Sequence, residues 1–112
     1  MDDCIFCKIA KKEIKSQIVY EDDVCVAFKD ISPQAPVHIL LIPKKHIESI
    51  DKIDENDKNL ISVLVKNISK VAKQSGLESY RVVSNVGTEA GQSVFHLHFH
   101  ILGGRRMNWP PG

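Results

Sequence analysis

Long hydrophobic runs are missing from this 112-residue sequence. Its apolar stretches, such as residues 39–42, are far too short to span a membrane. An excess of charge is also missing, because 15 basic and 14 acidic residues leave a formal net charge of +1 and form no basic tract for nucleic acid. The acidic start, Met1-Asp2-Asp3, does not resemble a secretory signal. We therefore expect a cytoplasmic protein that binds neither a membrane nor nucleic acid.

Cysteine is scarce, and its odd number of three argues against a disulfide framework. Cys25 lies in the apolar run 24–28 and is interpreted as a small buried side chain. Cys4 and Cys7 form a Cys-x-x-Cys pair, which by itself is compatible with zinc or with no metal. A thioredoxin-like redox role is disfavoured, because the pair does not lie between a strand and a helix of a βαβ unit. A tetrahedral zinc site needs two more ligands, for which His46 and His96 are the candidates.

The length suits one domain with a single core. Residues 6–12 are predicted to form a short helix. Alternating and β-branched stretches, separated by proline, glycine and acidic turns, predict five strands. These strands cover residues 18–21, 24–28, 37–42, 80–86 and 94–102. Mostly antiparallel strands with one long helix over a face indicate an α+β domain.

The long helix is predicted between Asp54, a suitable N-cap, and Gly76, a natural stop. Apolar residues recur along it at spacings of three and four, which gives one broad apolar stripe. The stripe consists of Leu60, Ile61, Leu64, Val65, Ile68, Val71 and Ala72. We assign it a structural role only.

Three histidines occupy alternate positions in the last predicted strand, His96, His98 and His100. Because a strand sends alternate side chains to opposite faces, all three imidazoles should point one way and the intervening apolar residues into the core. A polar outer face, a row of metal ligands, and a catalytic histidine with anion-binding neighbours are three interpretations of this pattern.

The loop 87–93 leads directly into these histidines. Its glycines allow backbone N–H groups to approach an anion, and the side chains of Gln92 and Ser93 add donors. His38 lies on another apolar strand and is a candidate to orient a catalytic imidazole. Its alternative interpretation is a half-buried histidine without a catalytic role.

Several segments together resemble the histidine-triad (HIT) superfamily. The segment His96-Leu97-His98-Phe99-His100-Ile101-Leu102 matches its signature of three histidines that alternate with apolar residues. The preceding Gly91-Gln92-Ser93-Val94-Phe95 and the tail 103–112, which reads Gly-Gly-Arg-Arg-Met-Asn-Trp-Pro-Pro-Gly, are similar to the Hint branch. Residues 30–38 and 42–46 match further blocks of the family, so the resemblance covers essentially the whole chain.

The resemblance implies a single HIT domain over residues 1–112, with an antiparallel sheet that continues across a homodimer. Its tail, residues 103–112, would reach the partner subunit. The implied activity is hydrolysis of the phosphorus–nitrogen bond of purine nucleoside 5′-phosphoramidates, such as AMP derivatives, and of acyl-adenylates. The implied mechanism passes through a nucleotidyl-histidine and requires no cofactor for its chemistry.

The resemblance also implies a role for individual residues. His98 would attack the α-phosphorus, His100 would hold phosphate oxygens, and His38 would orient His98 and share its proton. Ser93 and the backbone from Gly91 to Ser93 would lie near the leaving group. The remaining nucleotide-binding residues implied are Asp30 on the ribose with its neighbour Ile31, Asn85 near the phosphate, Gln92 within the Gly91–Ser93 loop, Phe6, Ile9, Phe28 and Ile31 around the base, and Trp109 from the tail.

Relatives of the microbial type retain the cysteine pair and resemble zinc proteins, with Cys4, Cys7, His46 and His96 as the ligand set. This resemblance implies a structural Zn²⁺ and leaves His98 and His100 for chemistry. Two alternatives remain from the sequence: a zinc-stabilised nucleotide-binding module with incidental turnover, and a dinucleoside polyphosphate hydrolase. The Hint-like tail disfavours the latter and, together with the residues around the histidines, a nucleotidyl transferase.

Overall fold

The strand-forming segments make one open antiparallel sheet in a computed structural model, which describes residues 3–112. The elements, in chain order, are α1 (Ile5–Ala10), β1 (Ile18–Glu21), β2 (Cys25–Lys29), β3 (Val37–Pro43), α2 (Lys58–Gln74), β4 (Tyr80–Val83) and β5 (Phe99–Gly103). The strands lie side by side in the order β1-β2-β3-β5-β4, so β1 and β4 are the two edges. The predicted α+β class, with five strands and two helices, is confirmed.

The two faces of the sheet carry separate apolar clusters. Alternate residues of β3, Ile39 and Leu41, join the cluster that α2 covers, together with Leu64. The residues between them in β3, such as Leu40, pack with Phe6 of α1 on the opposite face. Because α1 is short, it covers only part of that face. The histidines occupy the remainder.

The start of α2 differs from the prediction. Asp54 caps a 3₁₀ turn, Glu55–Asp57, and its side chain accepts a hydrogen bond from the Asn56 amide at 2.8 Å. The Asp57 carboxylate accepts from the Asp54 amide at 3.1 Å, which completes a capping box. The chain then runs directly into α2 at Lys58. Gly76 follows the helix with φ +81°, as expected of a residue that ends a helix in the left-handed conformation.

The apolar stripe of α2 is narrower than predicted. Val65 is 50% exposed, because a rotation of about 100° per residue places it at the edge of the stripe. Asn67 is instead buried on this face, where its side-chain amide donates to Asp22 at 2.9 Å and to the Cys25 sulfur at 3.1 Å. These contacts satisfy a polar group that the periodicity alone did not assign to the interior.

The ends of three other elements also move. The predicted helix 6–12 stops at Ala10, since Lys12 has a φ of 64°, which is not helical. The predicted strands 24–28 and 80–86 are observed as Cys25–Lys29 and Tyr80–Val83. Among residues 3–112, no helix combines the length and apolar character needed to cross a bilayer.

The predicted histidine strand, residues 94–102, enters the sheet only at Phe99. The ladder with β3 pairs Leu41 with Phe99 and goes no further toward the N-terminal side of β5. Beyond it, the Pro43 carbonyl accepts from the His96 ring at 2.8 Å, and the Leu97 amide donates to the Ile47 carbonyl at 2.6 Å. The segment before β5 is therefore held by a side-chain bond from His96 to the last residue of β3 and by a backbone bond from Leu97 to the chain that follows β3.

Candidate active site and metal centre

The three histidines of the signature retain an alternating arrangement although only His100 lies in β5. Leu97 and Ile101 are buried in the cluster beneath α2. His96 and His98 are buried on the other side, where both rings make T-shaped contacts with Phe6. The rings of His98 and His100 have centroids 5.1 Å apart. The predicted shared face is observed, even though the backbone that carries it is only partly a strand.

His38 and His100 are brought together by the register of β3 and β5. Leu40 pairs with His100 and His38 with Leu102, so the two histidines are diagonal neighbours on one face. His38 Nε2 lies 2.9 Å from His100 Nδ1. This contact differs from the prediction that His38 orients His98.

The protonation of these two rings follows from the Gln34 amide. The Gln34 N–H donates to His38 Nδ1 at 3.0 Å, so this nitrogen carries a lone pair and the proton of neutral His38 is on Nε2. His38 Nε2–H therefore donates to His100 Nδ1. Neutral His100 in turn has its proton on Nε2. Burial lowers the pKa of His38, and burial followed by the proximity of His98 and His38 lowers the pKa of His100 to about 4, so both rings are neutral near pH 7.

His98 has the opposite tautomer. Its Nδ1 lies 2.6 Å from the His96 carbonyl oxygen, which can only accept, so Nδ1 carries the proton and Nε2 carries the lone pair. Burial lowers the pKa of His98, which keeps the ring neutral. The Ser84 hydroxyl also donates to the His98 carbonyl at 2.8 Å and fixes the backbone here. The site thus combines an unprotonated nitrogen on His98 with an N–H donor on His100.

A cleft of about 690 Å³ opens over these rings. One part of its wall is apolar and includes Phe6, Ile9 and Phe28. The rings of Phe6 and Phe28 make a T-shaped contact, with centroids 5.4 Å apart. The other part is polar. The predicted site residues that line the cleft are Phe6, Ile9, Phe28, Asp30, Ile31, His38, Gly91, Ser93, His98 and His100.

Three predicted nucleotide-binding residues do not line the cleft: Gln92, Asn85 and Trp109. The Gln92 side chain accepts from the Gly87 amide at 2.9 Å and donates to the carbonyls of Glu48 at 2.8 Å and Val94 at 3.1 Å. Both of its amide hydrogens are engaged, so Gln92 shapes the loop and is not a free donor. This corrects the prediction.

Asn85 lies behind Gly91, since a Cβ at Gly91 would come within 3.6 Å of the Asn85 side-chain nitrogen. Gly91 has φ +104°, a conformation that side chains other than hydrogen rarely adopt. Trp109 is 81% exposed on the tail. The amides of Gly91 and Gln92 bond within the loop, to the carbonyls of Thr88 and Gly87, whereas the Ser93 amide and hydroxyl take no part in these loop hydrogen bonds.

Asp30, His38 and His100 also come close enough to suggest a metal site. The Asp30 carboxylate accepts from the Ser32 amide at 2.8 Å and lies 3.4 Å from His38 Nε2. A metal ligand needs a lone pair on Nε2 of His38, but the Gln34 amide already makes Nδ1 the unprotonated nitrogen. This trio is therefore a hydrogen-bonded chain rather than a ligand set.

A second cluster comprises Cys4, Cys7, His46 and His96, whose ligand atoms all lie within 4.8 Å of one another. Cys4 Sγ is 3.4 Å from His96 Nδ1, and Cys7 Sγ is 3.3 Å from His46 Nδ1. Tetrahedral zinc with Zn–S of about 2.3 Å and Zn–N of about 2.0 Å separates sulfur and nitrogen ligands by roughly 3.5 Å. The donor set and its spacing fit a structural zinc ion.

Two further features support this fit. His96 Nε2–H donates to the Pro43 carbonyl at 2.8 Å, so its Nδ1 presents a lone pair to the sulfurs, as expected of a ligand with a supporting carbonyl. Burial and the neighbouring Cys4 raise the pKa of the Cys7 thiol to about 11. Two thiolates at this position therefore require a cation to compensate them.

The metal centre and His98 share backbone and packing. His96 contributes its ring to the four-residue cluster and its carbonyl oxygen to His98. Phe6 lies between the two cysteines in α1, and its ring meets His98 with centroids 5.1 Å apart and planes at 90°. A metal that fixes α1 would therefore also fix one wall of the cleft.

Sequence reasoning missed Gln34, which determines the tautomer of His38 and hence of His100. It acts through its backbone amide, and no residue-type pattern identifies such a donor. It also missed the cations Lys15 and Lys29 at the rim of the cleft, which stand alone in the sequence and form no tract.

Comparison with known proteins gives consistent results. The model of the HIT domain family matches residues 11–107. A HIT-like protein of Synechocystis sp. is 52% identical over 112 residues, which cover 99% of this chain and 98% of that protein. A 14 kDa zinc-binding protein of Brassica juncea is 51% identical over 113 residues, which cover 98% of this chain and all (100%) of that protein.

Among solved structures, a HIT family hydrolase from Legionella pneumophila superimposes with a TM-score of 0.95 at 48% identity, covering 98% of this chain and 100% of that one. The family match spans most of the sequence and includes His96, His98 and His100, and identities near one half extend over nearly the whole chain. The chain therefore belongs to the HIT family.

Proposed function

We propose that this protein is a purine nucleotide-binding hydrolase that cleaves the phosphorus–nitrogen bond of nucleoside 5′-phosphoramidates, and also acyl-adenylates. The observation that carries the proposal is the pair of opposite tautomers at the floor of the cleft. His98 offers an unprotonated Nε2, because its Nδ1–H donates to the His96 carbonyl. His100 offers Nε2–H, because its Nδ1 accepts from His38. Its relatives of known structure include proteins named as HIT family hydrolases.

The cleft supports a nucleotide as the bound molecule. The apolar walls, Phe6, Ile9 and Phe28, suit a flat purine base. The Asp30 carboxylate can accept hydrogen bonds from two neighbouring ribose hydroxyls. Between these two regions and the loop, the phosphate would meet the His100 Nε2–H and the amide and hydroxyl of Ser93. Donors fixed in this way stabilise the charge of the phosphoryl group during transfer.

In the first step, His98 Nε2 would attack the phosphorus, forming a nitrogen–phosphorus bond as the bond to the amine breaks. The departing nitrogen takes up one proton from solvent and leaves as the amine, and the proton that water loses in the second step replaces it. In the second step, water would attack the same phosphorus and release His98. Overall, one water is consumed: its OH remains on phosphorus to give the nucleoside monophosphate, and its other hydrogen goes to the amine.

His38 would act as a positioning residue in this scheme. It holds His100 in the tautomer that presents Nε2–H to the phosphate, and Gln34 holds His38 in turn. The chain Gln34–His38–His100 resembles the way a third group orients the base of a catalytic triad. Neutral rings suit this role, because a neutral imidazole has one nitrogen that accepts a hydrogen bond and one that donates.

We further propose that Cys4, Cys7, His46 and His96 hold Zn²⁺ in a structural role. All four protein ligands of a tetrahedral site are present, so no position is left for substrate. Relatives from Brassica juncea and Zea mays are named zinc-binding proteins. The ion would fasten α1 to the loop before β5. It would take no part in the reaction.

We also propose the homodimer that the family resemblance implies, and we place its interface at the edge strand β4. Val82 on this strand is 38% exposed, and an edge strand offers unpaired backbone groups to a partner. Trp109 does not line the cleft of its own chain. Its exposure on the tail is compatible with a contact to the partner's cleft.

The experiment that tests the proposed activity is hydrolysis of adenosine 5′-phosphoramidate by the wild type and by His98→Ala. We expect release of AMP by the wild type and loss of at least about a thousandfold in kcat for the variant, since the nucleophile is removed. AMP binding by the variant, measured by calorimetry, serves as the control for an intact cleft. A folded wild type that binds AMP but hydrolyses nothing would favour a nucleotide-binding module instead.

A further inference from the structure

A second, smaller groove adjoins the cleft on the side of the metal centre. It measures about 380 Å³ and lies between the N-terminal segment and the loop before β5. Its lining consists of Asp3, Cys4, Ile5, His46, Ser93, Val94 and Phe95. Three of these residues, Ile5, Ser93 and Val94, also line the cleft. The two spaces are therefore neighbours that meet at Ser93.

The position of this groove corresponds to one part of the proposed substrate. The base walls and Asp30 line the larger cleft only. An in-line displacement requires the leaving group to depart from the side of the phosphorus opposite His98. Ser93 stands at the junction of the two spaces, so a substituent on the phosphoramidate nitrogen near Ser93 has this groove open to it.

The walls of the groove are apolar and half-exposed. Ile5 is 46% exposed beside the half-buried ligand Cys4, and Phe95 is 44% exposed beside the buried ligand His96. An apolar ligand that covered these two side chains would remove their surface from water, and an aromatic ring could pack against Phe95. Such contacts supply affinity without fixed hydrogen-bonding geometry, which suits amines of different shapes.

The charge of the groove is set by Asp3. It is the only acidic or basic side chain, histidine aside, among the described lining residues. At the metal centre, two thiolates would cancel the charge of one Zn²⁺, so the ligands beneath the groove add no net charge. A substituent with a carboxylate would therefore meet repulsion from Asp3, and a neutral or cationic one would not.

We propose that this groove, which we call the leaving-group subsite, binds the apolar body of the amine in phosphoramidate substrates and disfavours amines that carry a negative charge. The proposal rests on the proposed function and assigns Ile5 and Phe95 as its contact residues, with Asp3 as the selective charge.

The test compares two adenosine 5′-phosphoramidates that differ only in the amine, ammonia or benzylamine, which have nearly the same basicity. The measured quantity is the ratio of kcat/KM for the benzyl substrate to kcat/KM for the unsubstituted one. We expect Phe95→Ala to lower this ratio about three- to tenfold, mainly through KM, and Phe95→Leu to restore much of it. Val63→Ala is the matched control, because Val63 is 37% exposed on α2, across the sheet from the groove. Its ratio should equal that of the wild type.

The charge is tested with a benzylamine substrate that carries a para carboxylate. We expect Asp3→Asn to raise kcat/KM for this substrate about two- to threefold relative to plain benzyl, with Asp51→Asn as the exposed acidic control. If the wild type hydrolyses neither parent substrate, the proposed function fails. If it hydrolyses both and Phe95→Ala leaves the ratio unchanged, the leaving-group subsite is overturned while the proposed function stands.

Discussion

His38 Nε2 donates to His100 Nδ1 over 2.9 Å, and the Gln34 amide determines the direction of this hydrogen bond. The contact joins β3 to β5 across the floor of the cleft. It leaves His100 with Nε2–H, whereas the contact of His98 with the His96 carbonyl leaves His98 with a lone pair on Nε2. Two neighbouring imidazoles on one face are thereby given opposite chemical roles.

This arrangement predicts the tautomers directly. We expect His98 to be protonated at Nδ1, and His38 and His100 at Nε2, in protein at pH 7.5. Long-range ¹H–¹⁵N correlation spectra of the imidazole rings distinguish the two forms, and His38→Asn should release His100 into a mixture of both. Detection of Nε2–H on His98 as the dominant form would contradict the account, because this nitrogen could not then act as a nucleophile.

The lowered pKa of His100 predicts how stability depends on pH. Burial first, and then His98 and His38, lower its pKa to about 4 from 6.5, while Asp30 acts in the opposite direction. Between these two values the unfolded chain binds a proton that the folded chain does not, so the free energy of unfolding falls as pH falls below 6.5. We expect His100→Asn to reduce this slope, by at most about 1.4 kcal/mol per pH unit, and to leave the dependence above pH 7.5 unchanged.

Urea unfolding of zinc-saturated wild type and variant at pH 7.5, 6.5 and 5.5 measures this difference, and the metal ligands contribute equally to both proteins. At pH 7.5 the free energy of unfolding should be lower for the variant than for the wild type, and this difference should shrink steadily as the pH falls. Parallel curves over the whole range would show that His100 titrates normally in the folded protein.

The metal centre predicts about one zinc ion per chain in protein purified without a histidine tag. Cys4→Ser with Cys7→Ser should abolish zinc binding, because a tetrahedral site loses two of its four ligands. Cys25→Ser is the matched control, since Cys25 is buried but lies in β2, outside the cluster. Zinc content by elemental analysis checks the prediction. Full retention of zinc in the double variant, or loss of zinc in the control, would rule out the assigned ligand set.

The exposed edge of the sheet predicts a dimer that Val82→Lys disrupts. A lysine there would place a charge against the same strand of a second copy across a twofold interface. Val19→Lys, at a position 36% exposed on the opposite edge strand β1, is the control. Light scattering coupled to gel filtration should report a dimer for the wild type and the control and a monomer for Val82→Lys. A monomeric wild type at micromolar concentration would overturn this part of the proposal.

Much of the fold was predictable because local patterns and long-range packing agree. The apolar run 37–42 before Pro43 and the spacing of Leu64 and Val71 correctly placed β3 and α2. The beginning of the histidine strand was not predictable in this way, since β propensity already starts at Val94 and Phe95, whereas β5 begins at Phe99. Hydrogen bonds from the His96 ring to Pro43 and from the Leu97 amide to Ile47 overrode that propensity.

The candidate site was likewise predictable only in part. The signature was enough to name His98 and His100 as site residues. The family resemblance was needed to group Cys4, Cys7, His46 and His96 into one ligand set. The partner of His38 was predicted wrongly, because His98 and His100 point to the same face and only the register of β3 with β5 decides between them. Gln92 was assigned to the phosphate as a polar residue in a glycine loop. Its amide instead holds that loop together.

The central claim is that His98 is the nucleophile, and the most direct test is to trap the nucleotidylated enzyme. Wild type mixed with adenosine 5′-phosphoramidate in excess, quenched within milliseconds in alkaline denaturant and digested, should show AMP covalently attached to the peptide that contains His98. Mass spectrometry with fragmentation locates the modified ring. Attachment to His98 that forms and decays at rates consistent with turnover is the predicted result. AMP attached to His100, or rapid turnover without any adduct while the quench preserves an authentic standard, would contradict the account.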